Sequence, residues 1–282
     1  MIKIGEYNLL KVIKEKPMGL FLDDGENGIL LPKRFVPEGT TIGDELEVFL
    51  YFDGEDRPIA TTQKPFGVVG EILKMKAVNV MEHGAFLNWG LMKDLFIPKS
   101  KMKTVMYPMG EYIVRIELDP QTGRPLATEK FEHTLSNEKL SVTQMEEVDL
   151  LVYRKTDIGY EVIINSRHKG ILHSNEIYRN IEIGDRFRGF IKNILPGKKG
   201  DGFLIDVAAG QPGYERVEGA SEKIMRLLKE NNGHLPYHDK SSPEEIYSFF
   251  EMSKKTFKMT TGNLYKQRKI IFTGDGIELI DP

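Results

Sequence analysis

Up to about residue 210 the hydrophobic positions fall in short β-prone runs broken by Gly or Pro. Val68-Val69-Gly70-Glu71-Ile72-Leu73, Ala85-Phe86-Leu87, Asp94-Leu95-Phe96-Ile97 and Tyr112-Ile113-Val114-Arg115-Ile116-Glu117-Leu118 are examples. They read as strands. About five strands to so short a unit predict a small closed barrel, because closure removes the exposed edges of a lone sheet. After about residue 218 the period changes. Ile224, Leu227 and Leu228 recur at helical spacing from Ser221 to Asn231, and Gly233 ends the run. Ser242-Pro243-Glu244-Glu245 supplies an N-cap, a first-position Pro and two acids at the positive end of a second helix. Ile246, Phe249 and Phe250 form its inner face, and Ser253 caps a third helix carrying Phe257 and Leu264. Ile270-Ile271-Phe272 and Ile277-Glu278-Leu279-Ile280 flank Gly274-Asp275-Gly276 as a closing hairpin. Three helices and a hairpin, in that order, predict a winged helix.

The strand-rich part repeats. Arg57-Pro58-Ile59-Ala60-Thr61 returns as Arg124-Pro125-Leu126-Ala127-Thr128, 67 residues later. Ile42-Gly43-Asp44-Glu45 aligns with Met109-Gly110-Glu111-Tyr112, Leu31-Pro32-Lys33 with Ile97-Pro98-Lys99, and Gly19-Leu20-Phe21-Leu22 with Gly84-Ala85-Phe86-Leu87. Landmarks in one order at nearly one offset mark a duplication. A weaker third copy follows, in which Gly170-Ile171-Leu172-His173 takes the place of Gly28-Ile29-Leu30-Leu31 and Ile183-Gly184-Asp185-Arg186 that of Ile42-Gly43-Asp44-Glu45. The expected organisation is mainly β with a small α+β end. It consists of barrels at 1–65, 66–130 and 147–210, a polar connector at 131–146, and a winged helix at 219–282.

Composition narrows the chemistry. Hydrophobic residues make up 40% and charged residues 29%, as in an ordinary globular protein. The absence of cysteine excludes disulfides, thiolate metal sites and a cysteine nucleophile. No apolar run approaches membrane-spanning length, and the start of the sequence lacks a signal-like core, so a cytoplasmic protein without membrane contact is expected. The net charge of −3 hides a gradient: 7 Lys and Arg against 12 Asp and Glu in residues 1–63, but 9 against 7 in residues 66–130. From Met252 to Gly274 there are six cations, Lys254, Lys255, Lys258, Lys266, Arg268 and Lys269, and no acid. A helix that approaches phosphates has that bias, whereas the plain alternative is a solvated face. Lys198 and Lys199 sit in a predicted hairpin tip, Gly197 to Gly202, and are candidates for a phosphate contact, the plain alternative being an ordinary turn; the tip lacks the Lys-Ser/Thr ending of a nucleotide-binding loop. His234 and His238 have Pro236 between them and no third ligand nearby, so no metal is expected there. No cofactor fingerprint or nucleophile elbow is present.

The order Gly-x-Phe-Leu, then Gly-Ile-Leu or Asp-Leu-Phe, then Gly-Asp or Gly-Glu before a last strand pair resembles the RNA-binding S1 motif, an OB-fold barrel. Three such units followed by a winged helix are similar to the bacterial conserved virulence factor B family, which implies RNA binding, a regulatory role and no reaction. S1 domains hold single strands with two aromatics flanking the Gly of the second strand, a His on the third, and an Asp and an Arg near the last hairpin. The resemblance carries these roles to His83, Phe86, Ile97, Asp119 and Arg124 in the second copy. It carries them to Met18, Phe21, Leu31, Asp53 and Arg57 in the first, and to Ile158, Glu161, His173, Asn193 and Lys199 in the third. Phe86 serves either stacking or core packing. Trp89, the only tryptophan, serves as a platform edge or domain-interface residue, with base stacking as the alternative.

The expected partner is single-stranded RNA, on mRNA or the ribosome, with post-transcriptional control as the outcome. Two other classes compete: a winged-helix transcription regulator on duplex DNA, and an RNA-processing enzyme with a carboxylate metal site. The four units leave no segment for a catalytic domain.

Overall fold

The structure, a computed structural model, describes residues 2–174, 177, 181–197, 202–209 and 214–280, with side chains omitted for 214–219. It comprises two compact bodies, 1–135 and 136–282. Lys198 and Lys199 lie outside the described residues.

In the first body, β1 (Tyr7–Lys16), β2 (Gly19–Leu22), β3 (Ile29–Pro32), β4 (Glu45–Phe52) and β5 (Pro58–Thr61) close a barrel in the order β1-β2-β3-β5-β4. A parallel bridge between Leu30 and Ile59 makes the closure. Its neighbour uses β6 (Ile72–Met81), β7 (Gly84–Leu87), β8 (Leu95–Pro98), β9 (Glu111–Leu118) and β10 (Pro125–Thr128). Here the ladder runs β10-β9-β6-β7-β8 and its two end strands come together without a bridge, so this copy is a barrel in shape but not in hydrogen bonding. Barrel one buries Val12, Leu22, Leu31, Val48 and Leu50. Phe49 and Tyr51 on β4 instead join the core of barrel two, beside Trp89, Leu95, Ile97 and Val114. The two barrels therefore share one apolar cluster, which is why they form a single body.

In the second body, β11 (Glu147–Thr156), β12 (Gly159–Ile164), β13 (His168–His173), β14 (Arg186–Pro196) and β15 (Phe203–Ala208) close the third barrel, with Ile171 and Leu172 bridged in parallel to Asp206 and Val207. The winged helix has α1 (Tyr214–Glu230), α2 (Pro243–Phe250) and α3 (Lys254–Lys266). A sheet in the order β16 (His234–Leu235), β18 (Ile277–Leu279), β17 (Ile270–Phe272) completes it. Ile224, Leu228, Ile246, Phe250, Phe257 and Leu264 fill its core. The capping box at Ser242 and Glu245 and the cap at Ser253 are formed as the sequence predicts. The first helix begins about two turns before Ser221; Gly219 and Ser221 imitate a boundary that the backbone ignores. The stretch 131–146, read as a polar connector, is divided between the bodies. Phe131 and Leu135 are buried in the first, whereas Val142 joins the core of the third barrel and Asn137 donates to the carbonyls of Lys169 and Phe203.

The three copies share details finer than the sequence repeat. The first strand of each carries a bulge at Ile13, Val78 or Tyr153, where the register with the second strand shifts. Each second strand opens on a glycine, Gly19, Gly84 or Gly159, at which an added Cβ would meet a third-strand carbonyl within 2.1 to 2.3 Å. The ladders also correct the alignment. Gly43, Met109 and Gly184 are the true equivalents: all have positive φ, and each donates to the carbonyl of Val12, Ala77 or Val152. Gly110 attracted the sequence alignment one residue too far, because the left-handed position is occupied by a methionine.

Candidate nucleic-acid interface

The outer face of the second and third strands is where S1-type residues are expected, and pairing fixes what each copy presents there. Phe21 faces Leu30, Phe86 faces Phe96, and Glu161 faces Ile171. Two residue pairs along, on the same face, Gly19 faces Pro32, Gly84 faces Pro98, and Gly159 faces His173. His173 is thus equivalent to Pro32 and Pro98, not to Leu31 and Ile97, as the sequence alignment had it. Leu31 and Ile97 are fully buried core residues. A one-residue slip exchanges the two faces of a strand, so this small error moved the site into the core.

Barrel two has the aromatic platform. Phe86 and Phe96 are half-buried, with ring centroids 5.1 Å apart and planes inclined at 46°. A Cβ on Gly84 would lie 2.7 Å from the Phe96 ring, so the glycine lets that ring lie flat on the strand. Phe96 was missed from sequence because it is offset by one from the expected position. His83 is exposed at the end of this face, and its carbonyl accepts from the Lys99 amide. In barrel one the corresponding Phe21 is covered by the Lys16 ammonium, 4.8 Å from the ring centroid. Trp89 has no face left for a base. It is 3% exposed, donates to the Gly67 carbonyl at 2.8 Å and stands edge-on to Phe49.

The hairpin Asp and Arg residues are committed to protein partners. Asp53 accepts from the backbone amides of Glu55 and Arg57 and from the Arg57 guanidinium at 2.8 Å, and Arg57 also reaches Glu55. Asp119 accepts from the Gln121 amide, and that bond holds its carboxyl below the usual range. Arg124 pairs with Asp56 of barrel one at 3.0 Å, and Lys93 donates to the Asp53 carbonyl at 2.7 Å.

Barrel three holds a polar cluster. His173 Nε2 lies 3.0 Å from Asp206 Oδ1, and Asn193 Nδ2 donates to Asp206 Oδ2 at 3.4 Å. The three side chains come from the adjacent strands β13, β15 and β14 and are half-buried. Asp206 has no sequence signal, because it enters only through the parallel closure of the barrel. Three arginines of this barrel are locally balanced: Arg154 pairs with Glu161, Arg186 with Asp149, and Arg188 with Glu147 and Asp149.

The winged helix differs. Thr256, Phe257, Thr260, Thr261 and Leu264 bury one face of α3. Lys255, Lys258, Lys266, Arg268 and Lys269 are exposed and Lys254 is half-exposed. Lys258 lies 3.8 Å from Asp239. Among the described residues, Lys255, Lys266, Arg268 and Lys269 have no ion-pair partner. No described helix is long and apolar enough to cross a membrane.

Two family models match the ends of the chain. Residues 4–63 match the S1 domain and residues 222–279 match the CvfB-like winged helix domain. The chain is 28% identical over 273 residues to the uncharacterized protein YitL of Bacillus subtilis, covering 94% of this chain and 90% of that one. It is 27% identical over 256 residues to Conserved virulence factor B of Staphylococcus epidermidis, covering 85% and 84%. A solved multidomain protein with nucleic acid binding domains from Streptococcus pneumoniae aligns over 98% of both chains, at 22% identity and a TM-score of 0.41.

Proposed function

We propose that this chain, a relative of the conserved virulence factor B proteins, is a non-enzymatic cytoplasmic protein that binds single-stranded RNA and regulates expression after transcription. The observation that carries the reading is the cationic run from α3 into β17, a stretch of sequence without an acid, in which Lys255, Lys266, Arg268 and Lys269 are exposed and have no ion-pair partner among the described residues, whereas Arg57, Arg124 and Arg186 are paired with carboxylates. Such a surface attracts phosphate, and its contacts carry no base information. The aromatic pair Phe86 and Phe96 and the His173–Asn193–Asp206 cluster add the two kinds of contact a single strand offers: base faces for stacking and exposed edges for hydrogen bonds.

Duplex DNA is the competing ligand, since a winged helix can enter a groove. The barrels favour a single strand, because base faces in a duplex are already stacked. Anisotropy titrations of the full chain with an oligouridylate, a structured RNA and a DNA duplex, each with and without magnesium, test the reading. The oligouridylate is expected to bind in the micromolar range, ahead of the DNA duplex and without cleavage. Preference for the duplex, or magnesium-dependent cleavage, overturns it.

A further inference from the structure

The aromatic side chains of the winged helix divide sharply. Tyr237, Phe249, Phe250 and Phe257 pack on one another inside or at the rim of the core. Tyr265 and Phe272 do not. Tyr265 is 53% and Phe272 43% exposed, and their rings meet each other at 5.3 Å between centroids, inclined at 45°.

The backbone brings this pair together. The α3 helix ends at Lys266, and the amide of Arg268, at a φ of 56°, donates to the Tyr265 carbonyl while that of Lys269 donates to the Leu264 carbonyl. The chain thus reverses within one turn. Ile270 then plugs the core, which leaves Ile271 and Phe272 of the edge strand β17 outside. Phe272 returns against the last turn of α3 and lands on Tyr265.

The chain reversal beside the pair is cationic. Lys266, Arg268 and Lys269 form the reversal itself, and Lys254 and Lys258 lie on the same side of α3 as Tyr265 by helical spacing. Of the acids nearby, Asp239 lies 3.8 Å from Lys258, Asp275 accepts from Thr273 and lies 3.6 Å from His234, and Glu278 stands across the ladder from Ile271. An exposed aromatic pair set among cations fits a polyanion that carries flat apolar faces. In a duplex those faces are covered by neighbouring base pairs, so only an unpaired base can use them.

The geometry points to Tyr265 and Phe272 as a base-stacking site of the winged helix, which receives an unpaired base of a single-stranded nucleic acid whose flanking phosphates lie on Lys266, Arg268 and Lys269. The two rings touch, so the base lies on an outer face of the pair and not between them. This site rests on the single-strand reading above and deepens it: the winged helix acts as a single-strand clamp and not as a groove reader.

The test uses the full chain with Tyr265→Leu and Phe272→Leu together, which keeps apolar bulk and removes the flat faces. Affinity for an oligouridylate is expected to fall about tenfold, the loss typical of removing a stacked base. Affinity for an abasic ribose-phosphate oligomer of equal length, and the salt dependence of both, are expected to stay as in the unsubstituted protein. Should the double variant unfold, photo-crosslinking of a 5-bromouridine oligomer to the unsubstituted chain replaces it, with Tyr265 or Phe272 as the expected adduct. Unchanged oligouridylate affinity, an equal loss for the abasic oligomer, or adducts only elsewhere overturns the proposal. So does an acidic amphipathic peptide that binds this patch while the oligonucleotide does not. Failure of the unsubstituted chain to bind any single strand overturns the single-strand reading itself, and this site with it.

Discussion

The indole of Trp89 stands edge-on to the ring of Phe49, 5.4 Å between centroids, so the only tryptophan of barrel two is packed on a residue of barrel one. Phe49 is fully buried, and Tyr51 stacks beside it at 6.4 Å. Trp89→Ala removes a large side chain from the shared cluster and leaves the Gly67 carbonyl without its indole donor. A destabilisation of about 3 kcal/mol or more is expected. Denaturant unfolding of a 1–135 fragment, followed by circular dichroism, measures it. An effect below about 1 kcal/mol would mean that the two barrels do not depend on this contact.

Arg124 is expected as the S1-type arginine of barrel two, but its guanidinium already binds Asp56, and both side chains are about half exposed. Phosphate has to displace that carboxylate. Arg124→Ala is therefore expected to change oligouridylate affinity less than twofold and to cost less than about 1 kcal/mol of stability, as exposed pairs do. Replacement of Lys254, Lys255 and Lys258 by Ala is expected to weaken binding more, equally across RNA sequences, and to flatten the salt dependence. Titration of the two variants in parallel decides between them.

The winged helix carries a pH-sensitive cap. The Ser242 amide donates to the Glu245 carboxylate at 2.8 Å and the Glu245 amide donates back to Ser242 Oγ, which holds the Glu245 carboxyl below the usual glutamate range. A lowered pKa means stability that is present above the unfolded-state glutamate pKa and lost as pH falls through the folded value. Ser242→Ala is expected to cost about 1 kcal/mol near neutral pH. The Ser242 amide survives in that variant, so Glu245→Gln tests the charge: its stability gap to the parent should narrow in acid, below the ordinary glutamate pKa. A gap that stays constant into strong acid would show that Glu245 does not contribute through its charge.

The fold was legible because its signals are local and repeated. Caps, helical periods and Gly-bounded strand runs each specify their own element, and the Arg-Pro landmark at 57 and 124 marks the duplication without any knowledge of structure. The site was less legible because it depends on which face of a strand a residue occupies. His173 was found by type but aligned with buried Leu31 and Ile97, and Phe96 was passed over, both through a single-residue slip. Asp206 and the pairing of Arg124 with Asp56 depend on contacts across strands or barrels, which spacing along the chain does not encode. Tyr265 and Phe272 follow helical and strand periods, but only the reversal at Arg268 brings them together.

The central claim is that single-stranded RNA is held mainly by the second body. The first body is acidic in its first barrel, where Asp23, Asp24, Glu26, Glu55 and Asp56 stand in loops beside Phe21 and Arg57. The second carries the acid-free cationic run from Lys254 to Lys269 and the His173 cluster. The most direct measurement compares oligouridylate binding by fragments 1–135 and 136–282 across salt concentrations. The 136–282 fragment is expected to keep most of the full-length affinity, with a log–log salt slope of about −2 to −4, as for roughly three to six phosphates at ~0.7 each. The 1–135 fragment is expected to bind weakly. Full affinity in 1–135, or a slope near zero in 136–282, would contradict the account.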